Sequence, residues 1–475
     1  MARRPGLQTL LRLTHGRRPS SQDRTLRLLI ACLVTFASLS LVACGTTPGA
    51  DAGIDAGADS GLPVDGGAAR DAGNTPDAGN TPDAGTTPDA GTTPDGGLTT
   101  AQVRVHYPAG THSLSIRGSG GTLSWTQGTT ATASGNTFSL TITGLTGPIE
   151  WKPLLDGTVW SRGPNYHLAP GQTVDVYPHF TATAGQVQTL IATFHSTVLG
   201  NDRAIYAYLP ASYAENTEAT YPVVYMHDGQ NLWDALPQLA FGATWKVDTT
   251  FDAAAESGTC SSGGQVGWAA QPLGAAPTTC TGDGDCPSGE CRTFPEAIVI
   301  GVANTSARIF EYTPTTDPTT AGGGGADRYL QLLVQELKPR IDGQLRTRPD
   351  VHATALAGSS LGGLVTAWAG LKYPQVFGLL AELSPSSWWN NDVIVGDVNA
   401  MTMAAPTRPL IVYVDSGQGT ADDQADTDLL AAAYLAVGYV DGQNFRHVVQ
   451  TGASHNEVYW AQRLPGALQV ILGER

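Results

Sequence analysis

The stretch Ala353-Thr354-Ala355-Leu356-Ala357-Gly358-Ser359-Ser360-Leu361-Gly362-Gly363 decides the fold. An apolar run, 353–357, breaks into Gly358-x-Ser360-x-Gly362 and continues as a helix-like segment, 363–373. Strand, turn and helix in that order is the setting in which G-x-S-x-G lifts a nucleophilic serine onto a sharp, exposed elbow. The register selects Ser360. Choosing Ser359 would put Ala357 and Leu361 where the glycines are needed, and a β-carbon there would crowd the turn. With 57 glycines in 475 residues the pentapeptide alone arises easily by chance, so its weight comes from what surrounds it.

A serine hydroxyl is a poor nucleophile at neutral pH unless a histidine base, itself oriented by a carboxylate, stands beside it. In an α/β-hydrolase the chain order is serine, acid, histidine, with the acid after a late strand and the histidine after the last one. Residues 410–414 read as a buried strand running into Asp415-Ser416-Gly417 and a loop with Asp422, Asp423 and Asp426. Residues 445–450 read as the next strand, ending in Thr451-Gly452-Ala453-Ser454-His455. His455 is therefore the expected base, whereas His227 and His447 read as packing or hydrogen-bonding residues. Asp422 is the favoured acid, and Asp423 and Asp415 stay open as alternatives.

Attack on an ester develops negative charge on oxygen, which needs N–H donors already in place. One is expected from the backbone of Leu361, after the nucleophile. The second is expected from the loop His227-Asp228-Gly229-Gln230-Asn231, which follows a strand at 222–226; the N–H of Gly229 or Gln230 is the candidate.

These segments resemble a known family, the esterases that include esterase D and the enterochelin esterase-like hydrolases. The resemblance covers roughly residues 189–472. Its carriers are Tyr225-Met226-His227-Asp228-Gly229-Gln230-Asn231-Leu232-Trp233-Asp234, Arg308 with Glu311-Tyr312-Thr313-Pro314, and Glu336-Leu337-Lys338-Pro339-Arg340-Ile341. The Ser360 elbow, Leu383-Ser384-Pro385-Ser386-Ser387-Trp388-Trp389, and Gly452 to His455 with Trp460 and Arg463-Leu464-Pro465 complete it. It implies an α/β-hydrolase fold, a mostly parallel sheet with helices on both faces, no metal or other cofactor, and Ser360 and His455 as catalytic residues. Trp233, Tyr312, Trp388 and Trp389 are expected pocket walls. In one departure, Gln418-Gly419-Thr420-Ala421 intervenes between the strand's glycine and Asp422, where the family's acid often follows closely.

A second departure is an insertion at 258–292 with Cys260, Cys280, Cys286 and Cys291 among Gly, Ser, Asp and Thr. Such a segment has no core of its own, and two disulfides would compensate. Three pairings are possible and the spacing does not choose among them. Paired C-x-x-C units are absent, which disfavours zinc. The insertion is expected to overhang the active-site face, where functional loops gather.

Residues 1–43 carry seven arginines and one aspartate around an apolar run, 28–43, that is short for a bilayer span of about 20 residues. It ends in Leu41-Val42-Ala43-Cys44, which resembles a bacterial lipoprotein signal in which Cys44 is lipidated and becomes the mature N-terminus. The mature chain would be exported and lipid-anchored in the cell envelope, with the outer membrane the expected site. Residues 44–98 repeat Asp-Ala-Gly-x-Thr-Pro and close variants with hardly any large apolar side chain, so they should form a disordered acidic tether. Without residues 1–43 the chain has 19 basic and 41 acidic residues, a net charge of −22, which excludes nucleic acid and leaves the lipid anchor as the expected membrane contact.

Residues 99–182 alternate in strand fashion, with Val103-Arg104-Val105-His106-Tyr107, Ser113-Leu114-Ser115-Ile116, 138–142 and 174–177 separated by turn residues. A small all-β sandwich follows. Leu114-Ser115-Ile116-Arg117-Gly118-Ser119 with Leu123-Ser124-Trp125 and Trp151-Lys152-Pro153-Leu154 resembles starch-binding-type carbohydrate modules, which makes Trp125, Trp151 and Trp160 candidates for a sugar platform. Otherwise the domain is a spacer or a lid. The expected whole, with the hydrolase at 187–475, is an exported serine esterase cleaving small-molecule or polysaccharide esters, a siderophore ester or an acylated polysaccharide, through an acyl-enzyme. An acyltransferase on the same fold and a non-catalytic surface carbohydrate-binding protein are the alternatives.

Overall fold

The apolar runs in the second half of the chain are strands of one eight-stranded sheet. In this computed structural model residues 99–181, 183–260, 278–287, 290–320, 322–401 and 409–473 are described; the expected signal, Cys44 and the tether lie outside them. In chain order the strands are β1 Gln186–Ser196, β2 Asn201–Leu209, β3 Val223–His227 and β4 Ile298–Val302. They continue as β5 Thr354–Ser360, β6 Leu379–Pro385, β7 Ile411–Gly417 and β8 Phe445–Gln450. Their spatial order is β1-β2-β4-β3-β5-β6-β7-β8, with the first two contacts antiparallel and the rest parallel. This is the α/β-hydrolase fold expected from the elbow.

Every residue of β3 through β7 is buried, because a parallel sheet carries helices on both faces. The two-residue period sorts the side chains. Val223, Tyr225, Ile298, Ile300, Leu356 and Val412 point to one core, shared with helices α2 Leu361–Lys372 and α3 Gln424–Ala436. Val224, Met226, Val299, Ala355, Ala357 and Tyr413 point to the other, shared with α1 Val247–Glu256 and α4 Glu457–Leu472.

The region before the hydrolase is two small antiparallel-dominated sheets around Val103, Val105, Leu114, Ile116, Phe138, Ile142 and Trp151. Burial alternates strictly along Ala101–His106, as a strand with one wet face requires. Trp151 is fully buried in this core, which corrects its place on a sugar platform; the small sandwich needs the ring as packing. Trp125 and Trp160 do meet near the surface, centroids 6.1 Å apart, with the Arg117 guanidinium 5.3 Å from the Trp160 ring.

This β-rich region is fastened to the segment leading into β3. Glu215 accepts hydrogen bonds from Tyr107 Oη, Phe180 N–H and Thr181 N–H, and Asn216 Nδ2 donates to the carbonyls of His106 and Pro178. That is the N-terminal end of the sheet, which removes the lid reading. The insertion is corrected in the same way. α1 carries the chain from the C-terminal back to the N-terminal end of the sheet before the cysteines begin. The insertion accordingly packs on the β-rich region, with Asn165 N–H donating to Thr281 O and Asp283 N–H to Glu150 Oε1. Its cysteines pair as Cys260–Cys286 and Cys280–Cys291.

One carboxyl inside the fold answers to pH. Glu382 of β6 is fully buried, accepts a hydrogen bond from Tyr434 Oη at 2.7 Å, and is pushed by burial from the ordinary 4.5 to about 8. Between those values the folded state holds a proton that the unfolded chain releases, so this group makes stability fall as pH rises and levels off above about 8. Urea denaturation from pH 5 to pH 8 should give a flatter profile for Glu382→Gln than for the parent; parallel profiles would mean that the carboxyl ionises normally in the fold.

Candidate active site

The C-terminal ends of parallel strands open on the crevice where open α/β sheets hold their ligands. Ser360 ends β5 with φ 57° and ψ −125°, a conformation that a residue with a β-carbon rarely adopts. Both flanking glycines are dictated by space. A β-carbon on Gly358 would lie 2.7 Å from His227 Cδ2 and 2.9 Å from the Gly362 backbone, and one on Gly362 would lie 3.2 Å from His227 Cβ. His227 is thus a wall against which the turn is folded. It is buried, shares a 2.9 Å hydrogen bond with Tyr329 Oη, and burial drives its pKa down to about 3, so it stays neutral at physiological pH.

Asp422 follows β7 and His455 follows β8. His455 Nδ1 lies 2.6 Å from Asp422 Oδ1. The intervening Gln418-Gly419-Thr420-Ala421 is accommodated by a single 3₁₀ turn, Gly419–Ala421, entered through Gly419 at φ 76°. The turn folds the chain back so that Gly417 N–H donates to Asp422 Oδ2 at 2.5 Å and His455 N–H to Ala421 O at 3.3 Å. Gly417 must be glycine, since an added β-carbon would meet the Ala453 carbonyl at 2.7 Å and Asp422 Cβ at 2.9 Å.

The other Asp422 oxygen is held from behind. Ser384 Oγ donates to Oδ2 at 2.7 Å and itself accepts from Trp460 Nε1 at 3.0 Å and Arg463 Nη2 at 2.6 Å. Arg463 also reaches Asp422 Oδ2 at 3.4 Å and, through Nε, Asp415 Oδ1 at 2.9 Å. Burial alone would raise the Asp422 pKa, but His455, Ser384 and Arg463 outweigh it and hold the carboxyl below its ordinary value. An ionised carboxylate on Nδ1 fixes the imidazole tautomer and leaves Nε2 free to accept a proton.

Ser359, Ser360, Ser386, Trp388, His455, Glu457 and Trp460 line one cavity with Asp228, Asn231, Asn304 and Arg308. Ser360 Oγ shares a 3.3 Å hydrogen bond with Ser386 Oγ, and Ser386 N–H donates to Ser360 O at 3.0 Å.

The profile of the "Putative esterase" family matches residues 196–267 and 287–471, more than half of the chain. The chain belongs to that family. This esterase is thereby a carboxylic ester hydrolase of the serine hydrolase type. It is 24% identical over 193 residues to the uncharacterized protein YbbA of Bacillus subtilis, covering 38% of this chain and 76% of the relative. It is 33% identical over 93 residues to the siderophore triacetylfusarinine C esterase of Aspergillus fumigatus, covering 20% of this chain and 32% of that one. The chain thus spans about three quarters of the first relative's length and about a third of the second's. An IroE-like serine hydrolase from Shewanella oneidensis superimposes with a TM-score of 0.40 at 21% identity, covering 60% of this chain and 79% of that one.

Of the three candidate acids in the esterase, Asp422 is the one in contact with His455. Asp415 is occupied by Arg463 Nε and by the Ser384 N–H, 3.0 Å away, while Asp423 stands at the head of α3 and lines the cavity. Of the four expected pocket walls, Trp388 lines the cavity and the other three are corrected to core. Trp233 is fully buried beneath Gly301, Tyr312 is fully buried with its ring 5.2 Å from His227, and Trp389 is fully buried with Nε1 donating to Thr315 O. These rings pack into the two cores that flank the sheet, Tyr312 and Trp389 on one face and Trp233 on the other. Gly229 is required by close approach, but to the backbone of Gly301 and Val302 in β4. Leu361 opens α2 directly after Ser360. Ser384, Ser386 and Arg463 lie within the motifs that carry the family resemblance, and only the fold brings Ser386 to Ser360 and Ser384 and Arg463 to Asp422.

The elbow leaves no room for a methyl group at Gly358. Gly358→Ala should lower stability by about 1–3 kcal/mol in urea denaturation, the usual cost of overpacking; a loss below about 0.5 kcal/mol, within the range of neutral surface changes, would show a slack turn.

Proposed function

We propose that Ser360, His455 and Asp422 form a nucleophile, base and orienting acid that hydrolyse a carboxylic ester through an acyl-enzyme. The carrying observation is the 2.6 Å contact between His455 Nδ1 and Asp422, in a loop that faces the same cavity as Ser360 on its positive-φ elbow. His455 Nε2 takes the hydroxyl proton as Ser360 Oγ bonds to the acyl carbon. The proton then passes to the alkoxide as the C–O bond breaks, and water repeats the sequence to free the acid. The backbone N–H groups of Leu361 and of Gly229 or Gln230 are the proposed oxyanion donors. Trp388 would form one wall for the substrate.

The substrate proposed is a siderophore ester or an acylated polysaccharide. Two relatives support one class each: the Aspergillus siderophore esterase, and an endo-1,4-beta-xylanase/feruloyl esterase of Xylanibacter ruminicola that is 25% identical over 146 residues. The two disulfides favour an oxidising, exported location. Among the described residues no helix is long and apolar enough to cross a membrane. Lipidation of Cys44 after removal of residues 1–43, a tether over 44–98, a β-sandwich over 99–182 and the hydrolase over 187–475 complete the proposal.

Ser360→Ala should lower kcat on p-nitrophenyl esters by about 10⁴-fold or more if the three residues act as a unit, and should abolish labelling by a fluorophosphonate probe. Asp422→Asn should lower kcat by about 10⁴-fold through the wrong imidazole tautomer. A Ser360→Ala enzyme that keeps most of its turnover would assign the chemistry to another group.

A further inference from the structure

The cavity beside Ser360 holds one lysine or arginine among its described lining residues, and that cation is already matched. Arg308 donates from Nε to Asp228 Oδ1 and from Nη2 to Asp228 Oδ2, both at 2.8 Å, in a fork-on-fork pair. The pair is braced on both sides: Asn304 Nδ2 donates to Asp228 Oδ1 at 2.5 Å, and the guanidinium lies 5.1 Å from the centre of the Tyr312 ring. Its side chains are only 14% and 10% exposed, so turning Arg308 toward a ligand would strand Asp228 as a buried carboxylate.

The remaining acid-base groups on the wall are carboxyls or the His455 imidazole. Glu457, at the start of α4, is 8% exposed and accepts a long hydrogen bond from Asn231 Nδ2 at 3.5 Å. Asp423, engaged with its own neighbours, lines the same cavity. The rest of the wall is uncharged: four aromatic rings, Phe241 at the rim with Trp245, Trp388 and Trp460, set among asparagine, serine, threonine and alanine side chains.

An anion entering this space would shed water against a wall whose one guanidinium charge is already balanced by Asp228 and whose further acidic groups are the Asp423 and Glu457 carboxyls. A neutral ester meets no such opposition, and its ring faces or alkyl groups fit indole walls. We propose that the site selects by charge, accepting esters with uncharged acyl and alcohol parts and rejecting anionic ones such as an iron-loaded catecholate. Of the two substrate classes above, this favours the acylated neutral saccharide. The inference rests on the Ser360, His455 and Asp422 reading.

The test compares p-nitrophenyl butyrate with the mono-p-nitrophenyl ester of succinic acid, an acyl group of similar length ending in a carboxylate. Each is assayed at neutral pH in low and high salt, with an iron-loaded and an iron-free catechol trilactone as a second pair. The expected result is a kcat/KM about tenfold or more higher for the neutral ester, the scale of one like charge at close range, with the gap narrowing in high salt. Glu457→Gln should narrow it as well, and the salt series on the parent enzyme decides the matter if that variant fails to fold. Equal turnover of the two esters, preference for the anion, or a gap that salt leaves untouched would overturn charge selection while leaving the esterase intact. Turnover of neither ester above the Ser360→Ala background would instead overturn the catalytic reading.

Discussion

A carboxylate with no exposed surface has to be supplied with donors, and the way Asp422 is supplied organises the active end of this molecule. His455 Nδ1, the Gly417 N–H, Ser384 Oγ and Arg463 Nη2 all converge on its two oxygens. Those donors come from β6, β7, the loop after β8 and α4, so one buried charge fixes four elements against each other. Ser384 adopts φ 41° to serve it, with its one hydroxyl proton spent on Asp422 and its oxygen accepting from Trp460 and Arg463. Arg463 in turn needs Asp415, which binds the Ser384 N–H, and the circle closes. Breaking any member leaves a neighbouring buried charge or polar group without its partner, which costs more than the single bond removed.

How much of this was legible in the sequence depended on the range of the determining interaction. The elbow was legible because its cause is local: two glycines flank a strained serine between a strand and a helix, and each glycine is excluded from growing by atoms a few residues away or on the adjoining strand. The strand at 410–414 was legible because burial on both faces demands an unbroken apolar run, and it falls short of β7 only at the polar end, Asp415–Gly417; 445–450 matches β8, an edge strand buried only at its two ends, Phe445 and Gln450. The choice among Asp415, Asp422 and Asp423 was legible only as a preference for Asp422. It turns on whether Gln418-Gly419-Thr420-Ala421 closes through one 3₁₀ turn and on how Arg463, distant in sequence, pairs with Asp415. The inward fate of Trp233, Tyr312 and Trp389 likewise follows from the space left by Gly301, His227 and Thr315, neighbours only in the fold.

The misplaced insertion has a topological cause. In a parallel α/β sheet each connection consists of a loop at the strands' C-terminal end, a helix, and a second loop at the opposite end. Whether inserted residues sit beside the catalytic cavity is therefore decided by which side of the helix they interrupt. α1 was overlooked in the sequence, and its ten residues, Val247–Glu256, exchange one end of the sheet for the other. The cysteines follow it, so they join the β-rich region at the far end, where His167 Nε2 meets Asp283 at 3.1 Å and Arg162 pairs with Glu256.

That division of the molecule has a functional consequence. The β-rich region, through its hold on Glu215 and Asn216, and the disulfide-bonded insertion both load the N-terminal end of the sheet. The strand tips bearing Ser360, Asp422 and His455 keep their opening, bordered by Phe241, half exposed at 49%, and by Trp388. The side chains at those tips that line the cavity include the Arg308–Asp228 pair and the rings of Phe241, Trp245, Trp388 and Trp460. Arg308 is paired with Asp228 through Nε and Nη2, so the one guanidinium on that wall stands already charge-balanced. The β-rich region is attached at the opposite end of the sheet from the strand tips that bear Ser360, Asp422 and His455.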